Sequence, residues 1–240
     1  MSGLARAALL GVLALVAGCT SDGPRSEGGR LLVGGARERM REEDRRADPS
    51  KVIAAELAFA RLAQEKGQWT AFLETSADDA VMFVPQPVNA HDWLKGRANP
   101  PQAVRWQPHQ VWSSCDGSLA VTKGAWQRPN GTVGYFTTVW ERQRDGDYKW
   151  VMDQGDVLAQ PLAAPEMVAA SVADCAIDAS ASATAMAGVA ADDRRSGWSR
   201  DGTLIYSTDV RSDQSRSVRL RRWNGTAYEE VLRSDVAAGG

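Results

Sequence analysis

The sequence predicts an α+β fold: helices packed on a strongly bent antiparallel meander sheet, with a small C-terminal β-hairpin appendage. Two patterns predict it. From Asp48 to Leu73 apolar residues recur at helical spacing, and from Val104 to Leu158 the period changes to two. The period-two runs are separated by Asp116-Gly117, Asn130-Gly131 and Asp145-Gly146, dipeptides whose tolerance of positive φ makes them strong hairpin signals.

Asp48 or Ser50 can cap a first helix that runs to about Lys66. Its stripe is Val52, Ile53, Glu56, Leu57, Ala60, Leu62 and Ala63, and Gly67 ends it. A second, short helix places Trp69, Phe72 and Leu73 on one face. Ala80–Val84 reads as a strand broken by Pro85 and Pro87, and Ala90–Leu94 as one helical turn. The meander strands are Val104–Cys115, Leu119–Arg128, Thr132–Arg144 and Tyr148–Leu158. After Pro161 an alanine-rich stretch, 163–191, reads as a short helix or loop. Strands then return at Thr203–Val210, Ser217–Trp223 and Ala227–Leu232. This last piece is too small to stand alone and is expected to dock on the main body.

Met1–Ala17 reads as an export signal: Arg6 supplies its positive charge, and the apolar run Ala7–Ala17 is too short for the about 20 residues a bilayer requires. Val16-Ala17-Gly18-Cys19 follows and resembles the lipobox of bacterial lipoproteins. That resemblance implies removal of residues 1–18, a lipid on Cys19 as membrane anchor, and a periplasm-facing location. Thr20 and Ser21 in place of an aspartate lean toward the outer membrane. Residues 19–47, rich in Gly, Arg, Glu and Asp, read as the lipidated cysteine and its tether. The remaining divisions are a cone domain at 48–160, an alanine-rich connector at 161–195 and the hairpin extension at 196–240.

The formal net charge of −2 gives no basic footprint for nucleic acid. With Cys19 assigned to lipid, Cys115 and Cys175 remain as an even pair in an oxidising compartment, which predicts a disulfide; two buried free thiols are the alternative. No metal-ligand spacing, phosphate-cradling glycine loop or nucleophile elbow is present, so no cofactor is expected.

The helices, Ala80–Val84 (AVMFV), Val121–Trp126 (VTKGAW), Gly134–Gly146 (GYFTTVWERQRDG) and Tyr148–Asp156 (YKWVMDQGD) together resemble the nuclear transport factor 2-like superfamily. Ketosteroid isomerase and SnoaL-like polyketide cyclases share its cone-shaped fold. The resemblance covers Asp48–Leu158, about half of the chain. It implies a conical pocket and, in many members, a homodimer, but no single activity. In SnoaL-like relatives the last strand often presents histidines; those positions here are Met152 and Gln154.

With two-residue hairpin loops, Trp126 pairs with Tyr135, Thr137 with Gln154 and Tyr135 with Asp156. Gln107 then faces Trp126, and His109 faces Gly124. One face carries Gln107, His109, Trp126, Tyr135, Thr137, Trp150, Met152, Gln154 and Asp156, and is the candidate ligand cavity. The other carries Trp106, Trp112, Val121, Phe136, Trp140 and Val151. It is crossed by Lys123, Thr138 and Asp153, with Lys123 and Asp153 as an outer ion pair. That tryptophan-rich face would suit a dimer interface or the dock for the hairpins. A slip of one residue exchanges the faces.

Asp156 and His109 are the candidate catalytic groups. Burial would make Asp156 a base, whereas an exposed strand-end aspartate is its bland alternative. A lone strand histidine such as His109 is more often structural than catalytic. Because no acid–base pair is evident, the leading expectation is a lipid-anchored module that binds a small, mostly apolar ligand without catalysis. An isomerase- or cyclase-type enzyme using Asp156 or His109, and an envelope scaffold acting through the hairpins, are the alternatives.

Overall fold

The structure, a computed structural model, describes residues 46–177, 179–187, 189 and 194–238. The export segment, Cys19 and nearly all of the tether lie outside them.

Helix α1 (Pro49–Lys66) starts where the Asp48 carboxylate accepts a hydrogen bond from the Ser50 amide at 3.1 Å, with Pro49 at the first position. Proline suits that place, since its absent N–H would have had no helical partner. The helix stops at Gly67, φ 101°, whose amide bonds back to the Ala63 carbonyl. Helix α2 (Gln68–Thr75) is capped from a distance: Asn99 Oδ1 accepts from the amides of Trp69 and Thr70. Strand β1 (Ser76–Phe83), strand β2 (Pro87–Asn89) and the single turn α3 (Ala90–Leu94) follow.

The meander is β3 (Arg105–Ser113), β4 (Leu119–Gln127), β5 (Val133–Arg142) and β6 (Tyr148–Leu158), each end within two residues of the sequence reading. With β7 (Ala169–Val172) these strands form a seven-stranded sheet in the order β2-β1-β6-β5-β4-β3-β7. Strand β1 joins β6, and β7 joins β3, in parallel. The alanine-rich stretch therefore holds a strand as well as a helix, α4 (Ala179–Met186). Ala-Ala-Ser-Val has no periodic signal, and its pairing is decided by the free edge of β3. Strands β8 (Gly197–Trp198), β9 (Leu204–Val210), β10 (Arg216–Trp223) and β11 (Tyr228–Val236) make a second, antiparallel sheet.

Register departs from the sequence reading in a way that exchanges faces. The β4–β5 and β5–β6 loops hold three residues, not two. Gly131 (φ 86°) and Gly146 (φ 95°) supply the left-handed residue, and Arg128 pairs with Thr132 as Gln143 does with Asp147. Trp126 is consequently opposite Gly134, and Ala125 is opposite Tyr135. A bulge between Val139 and Trp140 restores the count in β5–β6, so Thr137–Gln154 and Tyr135–Asp156 pair as read. A second irregularity at His109 puts Trp106, not Gln107, opposite Trp126, and Pro108 opposite Gly124.

Three layers result. Helices α1, α2 and α3 cover one face of the large sheet. There Phe59, Ala63, Leu94, Trp140 and Trp150 are buried together. The four-stranded sheet covers the other face, where Trp112, Val121, Val139 and Met152 meet Leu204, Tyr206, Val218, Leu220 and Leu232. The hairpins thus dock as expected, but on the face carrying Tyr135, Thr137 and Gln154. The face carrying Trp106 and Trp140 belongs to the helices. Contacts between turns fasten the dock: the Cys115 amide donates to Thr203 Oγ1 at 2.9 Å, and the Asp116 amide to Asp201 Oδ2 at 2.8 Å.

Cys115 and Cys175 form a disulfide across 60 residues of sequence. Closing a loop of that length removes unfolded-chain entropy worth about 4 kcal/mol. Replacing both cysteines by serine is expected to lower the unfolding free energy by about 2–4 kcal/mol in urea melts. The same loss should follow reduction of the unaltered protein.

Candidate functional site

A cavity of about 630 Å³ opens on the helix side of the large sheet. Phe59 of α1, Trp69 and Phe72 of α2, Trp106 of β3, Trp126 of β4 and Phe136 of β5 supply its walls. These rings brace one another edge to face: Phe59 lies 4.8 Å from Phe72 and 4.8 Å from Trp106, centroid to centroid. Trp126 lies across Gly134, where a Cβ would stand 2.2 Å from the indole, and its Nε1 donates to the Tyr135 carbonyl at 2.8 Å. The missing side chain at Gly134 is what lets this ring lie on the sheet.

A row of polar groups crosses this apolar surface. Thr122, Thr138 and Asp153 are cross-strand neighbours on β4, β5 and β6. Thr138 Oγ1 donates to Asp153 Oδ2 at 2.7 Å, and Thr122 Oγ1 to Glu56 Oε2 at 2.6 Å. Glu56 is fully buried on α1 and also accepts from the indoles of Trp106, 2.8 Å, and Trp140, 3.1 Å. Burial pushes the Glu56 carboxyl up, against the pull of its three donors. Burial likewise raises Asp153 to about 7. The Thr138 hydroxyl opposes that rise, the neighbouring Glu56 adds to it, and the charge of Arg216 opposes it. Glu56 lies behind the wall, whereas Thr138 and Asp153 line the cavity. At neutral pH the cavity therefore presents a carboxyl able either to donate or to accept a proton.

Arg216, from β10 of the second sheet, closes one side. It is 1% exposed. Its Nη2 donates to the Gly155 carbonyl at 2.7 Å and its Nε to Gln154 Oε1 at 3.3 Å, and the guanidinium stands 4.8 Å from the Phe83 ring centre.

Of the residues expected to line a pocket, Trp126, Gln154 and Asp156 do so. Asp156 sits at the half-exposed rim, accepting from the Val157 amide at 2.7 Å. Tyr135, Thr137 and Met152 are buried between the two sheets, with the Tyr135 hydroxyl bound to Ser234 at 2.6 Å. Trp150 is buried among the helices and donates to Thr75 Oγ1 at 3.0 Å. Gln107 is exposed. His109 is buried at its bulge, its Nε2 without a partner among the described residues and its pKa lowered by desolvation, and it does not line the cavity. Lys123 lies opposite Thr137 and Asp153 opposite Thr138, so the two are on different faces and do not pair.

Among the residues that the sequence reading left out of the site, Glu56 and Arg216 had signals of their own. Glu56 is the charged member of the apolar stripe of α1. Arg216 shares strand parity with Val218 and Leu220, and hence the inner face of its sheet. Among the described residues, no group of three His, Cys, Asp or Glu side chains could hold a metal ion.

The architecture defines an α+β protein whose helices close a bent, antiparallel-rich sheet around a pocket. Solved structures that resemble it include a candidate ketosteroid isomerase from Parabacteroides distasonis, at TM-score 0.38 and 14% identity, covering 48% of this chain and 97% of that one. The CaMKII hub of S. rosetta aligns at TM-score 0.35 and 15% identity, covering 47% and 98%. The Δ5-3-ketosteroid isomerase of a Mycobacterium species aligns at 0.33 and 19%, covering 44% and 92%. No protein-family model matches the sequence, and no curated protein does.

The raised pKa of Asp153 has a stability consequence. Between the ordinary carboxylate value of 3.8 and about 7 the folded chain keeps a proton that the unfolded chain has lost. Stability therefore falls as pH rises through that window, by about 4 kcal/mol from this group. Asp153→Asn, which still offers Thr138 an oxygen, is expected to flatten the decline. Urea melts at pH 4 and pH 7.5 read the difference; equal slopes for variant and parent would contradict it.

Proposed function

We propose that this chain is an envelope-anchored binding protein for a small, mostly apolar molecule, held in the aromatic cavity between α1, α2 and the large sheet. The cavity carries the reading: about 630 Å³ of ring-walled space with one polar row on its floor is built to take a compact apolar body and orient one polar group. The Val-Ala-Gly-Cys sequence supports lipid attachment at Cys19 and a place in the bacterial periplasm. The Cys115–Cys175 disulfide supports an oxidising compartment. Among the described residues no helix is long and apolar enough to cross a membrane.

Asp153 favours a second reading, an isomerase-type enzyme. A carboxyl that titrates near 7 inside an apolar pocket is poised for general acid–base catalysis. Asp156, at the rim, and His109, outside the cavity, are less well placed for that step.

Native mass spectrometry of residues 20–240 purified from a bacterial periplasm tests the binding reading. A co-purifying small molecule is expected, and Trp126→Ala should lose it. The same substitution should weaken binding of 1-naphthaleneacetamide about tenfold in calorimetry, through the lost ring contact. Equal affinity in variant and parent would place the ligand elsewhere. Turnover of the recovered molecule that Asp153→Asn abolishes while leaving binding intact would favour the enzyme.

A further inference from the structure

The cation in the cavity wall is what the binding reading leaves unexplained. Arg216 is 1% exposed, yet among the described residues it makes no ion pair. The carboxylates whose charges act on it, Asp156 and Asp153, stay beyond ion-pair contact; a buried guanidinium so placed is costly, and its replacement by an apolar residue of similar volume would ordinarily be tolerated or favoured. Its hydrogen-bond partners are neutral oxygens: Gln154 Oε1 at 3.3 Å, the Pro85 carbonyl at 3.4 Å and the Gly155 carbonyl at 2.7 Å. A guanidinium has five N–H donors, so one remains on each terminal nitrogen. Those nitrogens belong to a side chain that lines the cavity beside Phe83, Gly155 and Asp153. Two parallel donors on a planar fork match a carboxylate better than any other common group.

We infer that the cavity takes an organic monocarboxylate, its flat apolar body against Phe59, Trp106 and Phe136 and its carboxylate on Arg216. The inference rests on the cavity being the ligand site and adds the chemical class of what enters it. Asp153 fits such a guest, since its neutral form can donate to the same carboxylate. Asp156 opposes it: this rim carboxylate, whose charge already acts on Arg216, competes with the guest's carboxylate. The second sheet thereby supplies the group that selects the ligand, from a segment outside the cone strands.

A matched pair of probes tests this: 1-naphthaleneacetate and its neutral isostere 1-naphthaleneacetamide, titrated calorimetrically at pH 6.5 in low salt. The acid is expected to bind at least tenfold more tightly than the amide. Arg216→Gln should reduce that ratio to about one, and Arg216→Lys should keep part of the preference. Asp156→Asn, at the half-exposed rim, should raise the acid-to-amide ratio about threefold. A parent protein that binds both probes equally overturns the inference and leaves the binding reading standing, with no variant needed. A parent that binds neither at millimolar concentration overturns both. A preference that survives in Arg216→Gln assigns the anion to another group and also overturns it.

Discussion

The meander's register governs the rest of the molecule. Two three-residue loops and two bulges set which side chains point to the helices and which to the second sheet. Because side chains alternate along a strand, each single-residue offset exchanges whole sets of neighbours. The offset at Arg128–Thr132 puts Trp126 over Gly134, on the side of Phe136, Thr138 and Trp140, and sends Val121 to the second sheet. The bulge at His109 lets Trp106 join them.

Glu56 shows how polar atoms are accommodated in that packed layer. Two indole N–H groups and a threonine hydroxyl converge on one carboxyl from β3, β4 and β5. Each of these donors would be costly to bury alone. A single side chain on α1 serves all of them, and so fixes the rotation of the helix against three strands. The Trp106 and Trp140 rings held in this way pack on Phe59. The cavity walls therefore inherit their rigidity from a hydrogen-bond cluster that does not itself line the cavity.

Much of the fold was legible. Helix caps at Asp48 and Gly67, the limits of the four meander strands, the glycine turns and the cysteine pairing all have local signals, and the structure follows them, whereas β1 begins at Ser76, four residues before the run read as a strand. The candidate site was legible in part. Trp126, Gln154 and Asp156 reach the cavity, but Asp153 and Thr138 were read on the outside because the more polar face was taken for the pocket; Trp126 was put on the wrong face because loop length decides parity and is not written in residue type alone. Choosing the more polar face as the pocket also failed for a physical reason. A face rich in Tyr, Thr and Gln can be buried when a partner sheet satisfies it, as Ser234 and Arg216 do for Tyr135 and Gln154.

That polar face bears on how the chain matures. Strand β6 ends at Leu158, whereas the strand that supplies Ser234 ends at Val236. A chain delivered N-terminus first must leave the back of its meander wet until its last strands arrive. Lys123, Tyr135, Thr137 and Gln154 make that waiting surface less adhesive than the ring-lined front, which α1 and α2 can cover at once. The same delay keeps Arg216 away until the end. The pocket's shape thus precedes its charge, and a chain cut short after the cone would enclose a cavity without its cation.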